Sequence, residues 1–138
     1  MRNANLLPLA LSLWCLTDPA FADKPPLDCG KKSLAAAVSE ASDKSIAFTG
    51  TCAGPVVIRS DGLSLTGVGA AIIDGGGQDA VTVAGAHGVS LANVEVRNGA
   101  NGIVGTDGAH LSLTNVTARD NRASGISLRT ASSATLSG

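Results

Sequence analysis

Tyrosine is absent from the 138-residue sequence, and the other aromatics are one Trp and two Phe. A core organised around large rings is therefore excluded. Charge is also scarce: Asp, Glu, Lys and Arg make up 15% of the chain, where about a quarter is usual. Ten basic residues against eleven acidic ones leave a net charge of −1, which fits neither a nucleic-acid-binding surface nor an acidic tail. What is abundant is small, with 17 Gly among many Ala, Ser, Thr and Val, and a hydrophobic share of 44%. That share excludes plain disorder, and the length suits one domain but not two.

The first 22 residues read as a secretory signal peptide. Arg2 precedes the apolar run from Leu6 to Leu16, and Ala20-Phe21-Ala22 places small residues where a signal peptidase reads, so cleavage is expected after Ala22. The run is about half the ~20 residues a membrane-spanning helix needs, and Pro8 interrupts it, so no transmembrane segment is expected. Lipidation at Cys15 is disfavoured by the bulky Trp14 before it. The expected location is exported, periplasmic or extracellular. Cleavage would leave Phe48 as the one aromatic and Cys29 and Cys52 as the one cysteine pair. In an oxidising compartment these two are expected to form a disulfide, and closing a loop of about 24 residues adds roughly 3 kcal/mol in the chain-entropy picture. With no histidine nearby, the pair lacks the further ligands of a zinc site.

From Ser33 to Ser42 the sequence has a capping Ser, an Ala-rich interior, and Leu34, Val38 and Ala41 at helical spacing, which predicts one short helix. After Lys44 the character changes to alternating β-branched residues punctuated by Gly and Asn. The boundaries drawn are residues 1–22 for the signal, 23–44 for a segment with a capping helix, and 45–138 for the rest.

That remainder repeats itself, which is the signature of a solenoid. Residues 79–101 and 102–124 are two blocks of 23 residues, in which Leu91, Asn93, Val94 and Arg97 match Leu113, Asn115, Val116 and Arg119, each 22 positions on. Gly125-Ile126-Ser127-Leu128 opens a third block. Leu63-Ser64-Leu65-Thr66-Gly67-Val68 matches one turn earlier, at a longer spacing assigned to the loop Asp74–Gln78. Each block divides into three strands, in the second block residues 102–106, 110–114 and 116–120, with Ile103, Leu111, Leu113, Val116 and Ala118 facing inward. The predicted fold class is all-β: a right-handed parallel β-helix with three strands per coil and a short N-terminal capping helix. Gly67, Asn93, Asn115 and Gly138 recur at the junction of the second and third strands, which predicts a left-handed bend there. Stacked Asn93 and Asn115 are candidates for an amide ladder.

With its Gly-Ile-x-Leu and Leu-x-x-Asn-Val motifs and the segment Ile72–Gln78, the stretch from Ser45 to Gly138 resembles the pectin-lyase-like family of secreted β-helix proteins. The resemblance implies a helix plugging the first coil, a substrate groove on the first-strand face, and a polysaccharide ligand. It is specific for fold and poor at naming an activity. A β-sandwich also has alternating strands but does not require the 22-residue self-match.

The outward residues of the first strands are then Thr82 and Ala84, Val104 and Thr106, and Ser127 and Arg129. None is a carboxylate, whereas hydrolytic relatives need clustered Asp and lyase relatives need a base with Ca²⁺. Gly105-Thr106-Asp107 is similar to the Asn-Thr-Asp motif of polygalacturonases but lacks its Asn, and Asp107-Gly108 is first of all a turn dipeptide. No catalytic set and no cofactor are evident. If the longer protein is an enzyme, a polysaccharide lyase or glycoside hydrolase is expected. Arg97 and Arg119 should stack one rung apart on the outer third-strand face, with Arg122 and Arg129 adding charge nearby, where guanidinium groups suit carboxylates. Glu95 and Asp120 sit alongside to neutralise them. The candidate substrate-binding residues are thus Thr82, Thr106, Arg129, Arg97 and Arg119.

His87 and His110 fall on the same turn of neighbouring coils. Without a third ligand they read as exposed turn residues, and no metal site is assigned. Gly75-Gly76-Gly77 is followed by Gln78 and does not make a phosphate-binding loop. Asn115-Val116-Thr117 is a formal glycosylation sequon on a residue assigned to a tight bend. The sequence stops at Gly138 inside a coil, without a polar cap. The expectation is therefore further rungs, or completion by a partner through self-association of that last coil. Three functional readings follow: the front of a polysaccharide-binding or polysaccharide-processing β-helix acting mainly as scaffold, a noncatalytic adhesin like an autotransporter passenger, or an inactive fragment.

Overall fold

The computed structural model describes residues 25–40 and 44–138. The predicted signal peptide, with Cys15 and the expected cleavage point, and Ala41 of the predicted helix lie outside the described residues. Ten strands and one helix follow in chain order: β1 Leu27–Asp28, α1 Leu34–Ser39, β2 Ser45–Ala53, β3 Val56–Ile58, β4 Ser64–Asp74, β5 Val81–Ala84, β6 Val89–Arg97, β7 Asn101–Thr106, β8 His110–Arg119, β9 Ser124–Leu128 and β10 Ser133–Ser137. They form a six-stranded sheet ordered β1-β2-β4-β6-β8-β10 and a four-stranded sheet ordered β3-β5-β7-β9. Every pairing is parallel. The chain is therefore an all-β parallel solenoid of about 5 turns with almost no helix.

The 22-residue self-match is the register itself. Leu91 pairs with Leu113, Val96 with Ala118 and Arg97 with Arg119 between β6 and β8, and Val81 pairs with Ile103 at the same step along the smaller sheet, where the next step, Ile103 to Ile126, is one residue longer. Inward residues stack as aliphatic columns, of which Leu65, Leu91 and Leu113 make one, and all three are buried. Ile103 and Leu111 are buried as predicted, and Val116 and Ala118 pack against the core half-buried. Phe48, the single aromatic among the described residues, is fully buried. Such columns need no large rings, because each apolar side chain meets its equivalent on the neighbouring turn.

The second and third strands predicted for the second block run as the single strand β8, bent at Asn115. The pairing of β6 with β8 skips from Ala92↔Thr114 to Val94↔Val116, so Asn93 and Asn115 stand at the bend. Both are left-handed, at φ 59° and 51°, a conformation Asn adopts more readily than other side-chain-bearing residues. The Asn115 Nδ2 donates to Asn93 Oδ1 at 3.2 Å, which completes the amide ladder.

At Gly67 the expected left-handed bend is not found, and the reason for glycine is different. Its φ is not positive, but a Cβ there would stand 2.1 Å from the Asn93 carbonyl oxygen and 2.6 Å from the Ala71 Cβ. The left-handed glycine within β4 is Gly69, at φ 64°. Thr66 pairs with Ala92 and Ile72 with Glu95, so five residues, 67–71, stand opposite only 93 and 94. The wider spacing of this turn is thus mostly a bulge inside β4, with the Asp74–Gln78 loop contributing less. Val68, matched in sequence to buried Val94, is 44% exposed for that reason.

At the other end of the chain order, Ser33 Oγ accepts from the Ala36 N–H and caps α1. Leu34 and Val38 bury one side of the helix against β2 and β3. The Cys29–Cys52 disulfide is formed, with Cα atoms 5.0 Å apart across a separation of 23 residues. In the last turn Leu136 is 61% exposed. It lines a depression of about 280 Å³ with Leu113, Val116, Ile126, Ser137 and Gly138.

Candidate functional site

The outer side of the four-stranded sheet carries one group of the predicted residues. Register places Val57, Thr82, Val104 and Ser127 in one column, and Thr106 beside Ala84 in the next. Arg129 follows β9, its N–H donating to the Gly105 carbonyl, and its Nε donates to Ser127 Oγ at 3.3 Å. Thr82, Thr106 and Ser127 are half-buried and Arg129 is exposed. Val104, outward by register, is only 2% exposed and lies apart from the main core cluster. The face therefore offers hydroxyls, the aliphatic side chains of Val57 and Ala84 and the guanidinium of Arg129, with exposed Arg59 two residues past Val57, and none of these is a carboxylate. Asp107, immediately beyond Thr106, is left-handed at φ 59° and is followed by Gly108 at φ 77°. The pair forms the turn its dipeptide predicts.

Arg97 and Arg119 belong to the other sheet, so the five candidate residues lie in two groups, as their assignment to different strands of the coil implies. The two arginines do stack one rung apart. Glu95 Oε2 accepts from Arg119 Nε at 2.7 Å and lies 3.5 Å from an Arg97 guanidinium nitrogen, while Asp120 Oδ2 is 2.7 Å from the other arm of Arg119. Two acids thus close around two bases and leave little unpaired positive charge for an anionic ligand. Arg122 donates to the Gly77 carbonyl. Arg129 makes no ion pair among the described residues, which leaves it the most available guanidinium of the predicted set.

Two polar arrangements were not legible residue by residue. Asp79 Oδ1 accepts from both the N–H and the side-chain Nδ2 of Asn101, at 3.1 and 2.9 Å. Asn101 is 8% exposed. The signal available was positional, since the residue one block beyond Asn101 is the polar Ser124. On the larger sheet, Ser45, Ser64, Ser90, Ser112 and Thr135 stand in one register column, and Ala47, Thr66, Ala92, Thr114 and Ser137 in the next. The recurring Leu-Ser-Leu pattern at residues 63–65 and 111–113 carries this row in the sequence.

Among the described residues Asp74, where β4 leads into the Gly-rich loop, is the one group whose acidity is clearly shifted. Its carboxyl is held below the usual 3.8, first by the side-chain hydrogen bond from Asn98 Nδ2, then by the Gly76 N–H and by Arg97, against a small opposing effect of burial. A depressed carboxyl stabilises the fold above its unfolded value and loses that contribution as pH falls through the folded value. Asp74→Ala should therefore lower the thermal midpoint slightly at neutral pH, with the difference from the parent shrinking below pH 3.8. Thermal melts of both proteins between pH 7 and pH 2 check this, and a gap that stays constant with pH counts against it.

Among the described residues no helix is long and apolar enough to cross a membrane, and no group of three or more His, Cys, Asp or Glu converges on a common point. Comparison of the chain with protein-family models, with curated proteins and with solved structures finds no match.

Proposed function

We propose that the chain is part of an exported right-handed parallel β-helix of the pectin-lyase-like kind. In this reading each coil has three strand directions, α1 closes the first coil, and residues 1–22 are the export signal. The coils act as scaffold and carry a polysaccharide on the outer face of β5, β7 and β9. The observation behind this is the grouping of Thr82, Ser127, Thr106 and Arg129 on one side of a parallel sheet. Rungs repeat every ~4.8 Å along such a sheet, so an extended chain lying along the axis meets Thr82 and Ser127 two rungs apart in one column and Thr106 in the column beside it. The guanidinium of Arg129 suits a uronate carboxylate. Support for export comes from the Cys29–Cys52 disulfide, a bond that persists mainly in oxidising compartments.

Affinity electrophoresis of the protein through gels containing polygalacturonate, alginate or neutral xylan tests the reading. Retardation by at least one uronate polymer is expected, with Arg129→Ala weakening it about tenfold, in line with the loss of one charge-assisted hydrogen-bonded pair. Absence of retardation by every uronate polymer, or an unchanged Arg129→Ala, rejects it. A noncatalytic adhesin is the second reading. It is favoured by the closed ion-pair set around Arg97 and Arg119 and by a face without carboxylates. Release of unsaturated or reducing ends from the same polymers would argue against it.

A further inference from the structure

The turn joining the two sheets brings the two histidines of the chain together. Ring centroids of His87 and His110 are 5.0 Å apart, with planes at 60°, and both side chains face solvent. The main chain beneath them is fixed at two points. Asp61 Oδ1 accepts from the His87 N–H at 2.9 Å, and the His110 N–H donates to the Ala86 carbonyl at 3.0 Å. One rung further on, Ser133 Oγ is 3.1 Å from His110 Nδ1. Engagement of Nδ1 by Ser133 leaves Nε2 as the ring nitrogen of His110 open to a ligand.

The geometry points to a surface site for a first-row divalent transition-metal ion, bound by His87 and His110 with water in the remaining positions. A metal sits about 2.0–2.1 Å from an imidazole nitrogen, and the ring centre lies about 1.1 Å further on, so a tetrahedral angle places two ligating rings about 5.1 Å apart. The observed 5.0 Å matches that separation without movement of the backbone. The hydroxyl on Nδ1 of His110 takes the place that a carboxylate or carbonyl usually holds behind a ligating histidine, where it fixes the ring and its tautomer. Asp61 adds negative charge at the same turn. The sequence reading of two exposed turn residues counted ligands alone. What it could not supply is the spacing, which the hydrogen bond from the His110 N–H to the Ala86 carbonyl sets at one rung. Imidazole ligands order the ions as Cu²⁺ above Ni²⁺ and Zn²⁺. The site is independent of the proposed polysaccharide reading, since it uses none of the same residues.

Titration of the full, untagged chain with Cu²⁺ and with Zn²⁺, followed by calorimetry and by the histidine ring signals in NMR, tests the assignment. One equivalent should bind, Cu²⁺ more tightly than Zn²⁺, and Zn²⁺ should shift the ring signals of both histidines together. His87→Ala and His110→Ala should each weaken Cu²⁺ binding at least tenfold while far-UV circular dichroism stays unchanged. Binding that is insensitive to either substitution, or ring signals that respond at one histidine only, overturns the assignment.

Discussion

Replacing Gly67 by alanine is expected to destabilise the solenoid by roughly 3 kcal/mol or more, at the upper end of what forced overpacking costs. The added methyl would stand 2.1 Å from a main-chain oxygen of Asn93 and 2.6 Å from the Ala71 Cβ. Neither is the far end of a flexible side chain. The carbonyl belongs to a bend whose left-handed Asn is tied to the next turn, so relief would have to move β6 as well as β4. Gly67→Asn separates the two explanations for this glycine. If a left-handed backbone were the reason, Asn would be nearly neutral there, as it is in the native bends at 93 and 115. Because close approach is the reason, Asn should cost at least as much as Ala. Urea denaturation of both variants decides the matter, and near-parental stability of Gly67→Asn would falsify the packing account.

Second in size is the loss of the Cys29–Cys52 bond. The double variant Cys29→Ala/Cys52→Ala should lose about 3 kcal/mol through the freed loop entropy of the unfolded chain, with a smaller addition for truncation at Cys52, which is 1% exposed. The bond has a positional role too. Strand β1 is two residues long and among the described residues pairs with β2 alone, through Leu27↔Phe48 and Asp28↔Thr49. The disulfide follows directly after it and anchors the approach to α1. Hydrogen exchange should therefore show protection lost first at 27–39, with the amides of β6 and β8 retaining theirs until global unfolding. A uniform loss of protection along the whole solenoid would contradict that order.

The parts of this fold that could be read in advance are those in which one turn copies the next. Leu91 and Leu113 announce a column because a parallel sheet places equivalent residues over one another, and Asn93 and Asn115 announce the bend because few residues enter the left-handed region. The match of Thr66-Gly67-Val68 to Thr114-Asn115-Val116 misled for a physical reason. A local motif fixes register only up to the first insertion, and β4 inserts its extra residues just past that glycine. The grouping of candidate residues was readable by face: alternation alone places Thr82, Thr106 and Arg129 on one sheet. Their energetic standing was not. Whether Arg119 is free or held depends on side-chain reach to Glu95 and Asp120 across and along rungs, which spacing in sequence does not contain. The near-complete burial of outward Val104 likewise has no periodic signature.

The bulge in β4 also divides the solenoid into interchangeable and keyed parts. From Val89 onward the six-stranded sheet repeats without a bulge of that size, in a step of 22 residues from β6 to β8, as Val89↔Leu111 and Val94↔Val116 show, and of 23 from β8 to β10, as Leu111↔Ala134 shows, so a segment of about that length can be duplicated or lost with each neighbour meeting an equivalent surface. The turn begun by β4 has a different outline, and its glycine fits only against the Asn93 carbonyl. Proteins built this way can change length by whole units at one end while the keyed turn holds the helix and disulfide at the other. Length is then a quantised and readily varied property, and the fold's fixed point is Gly67.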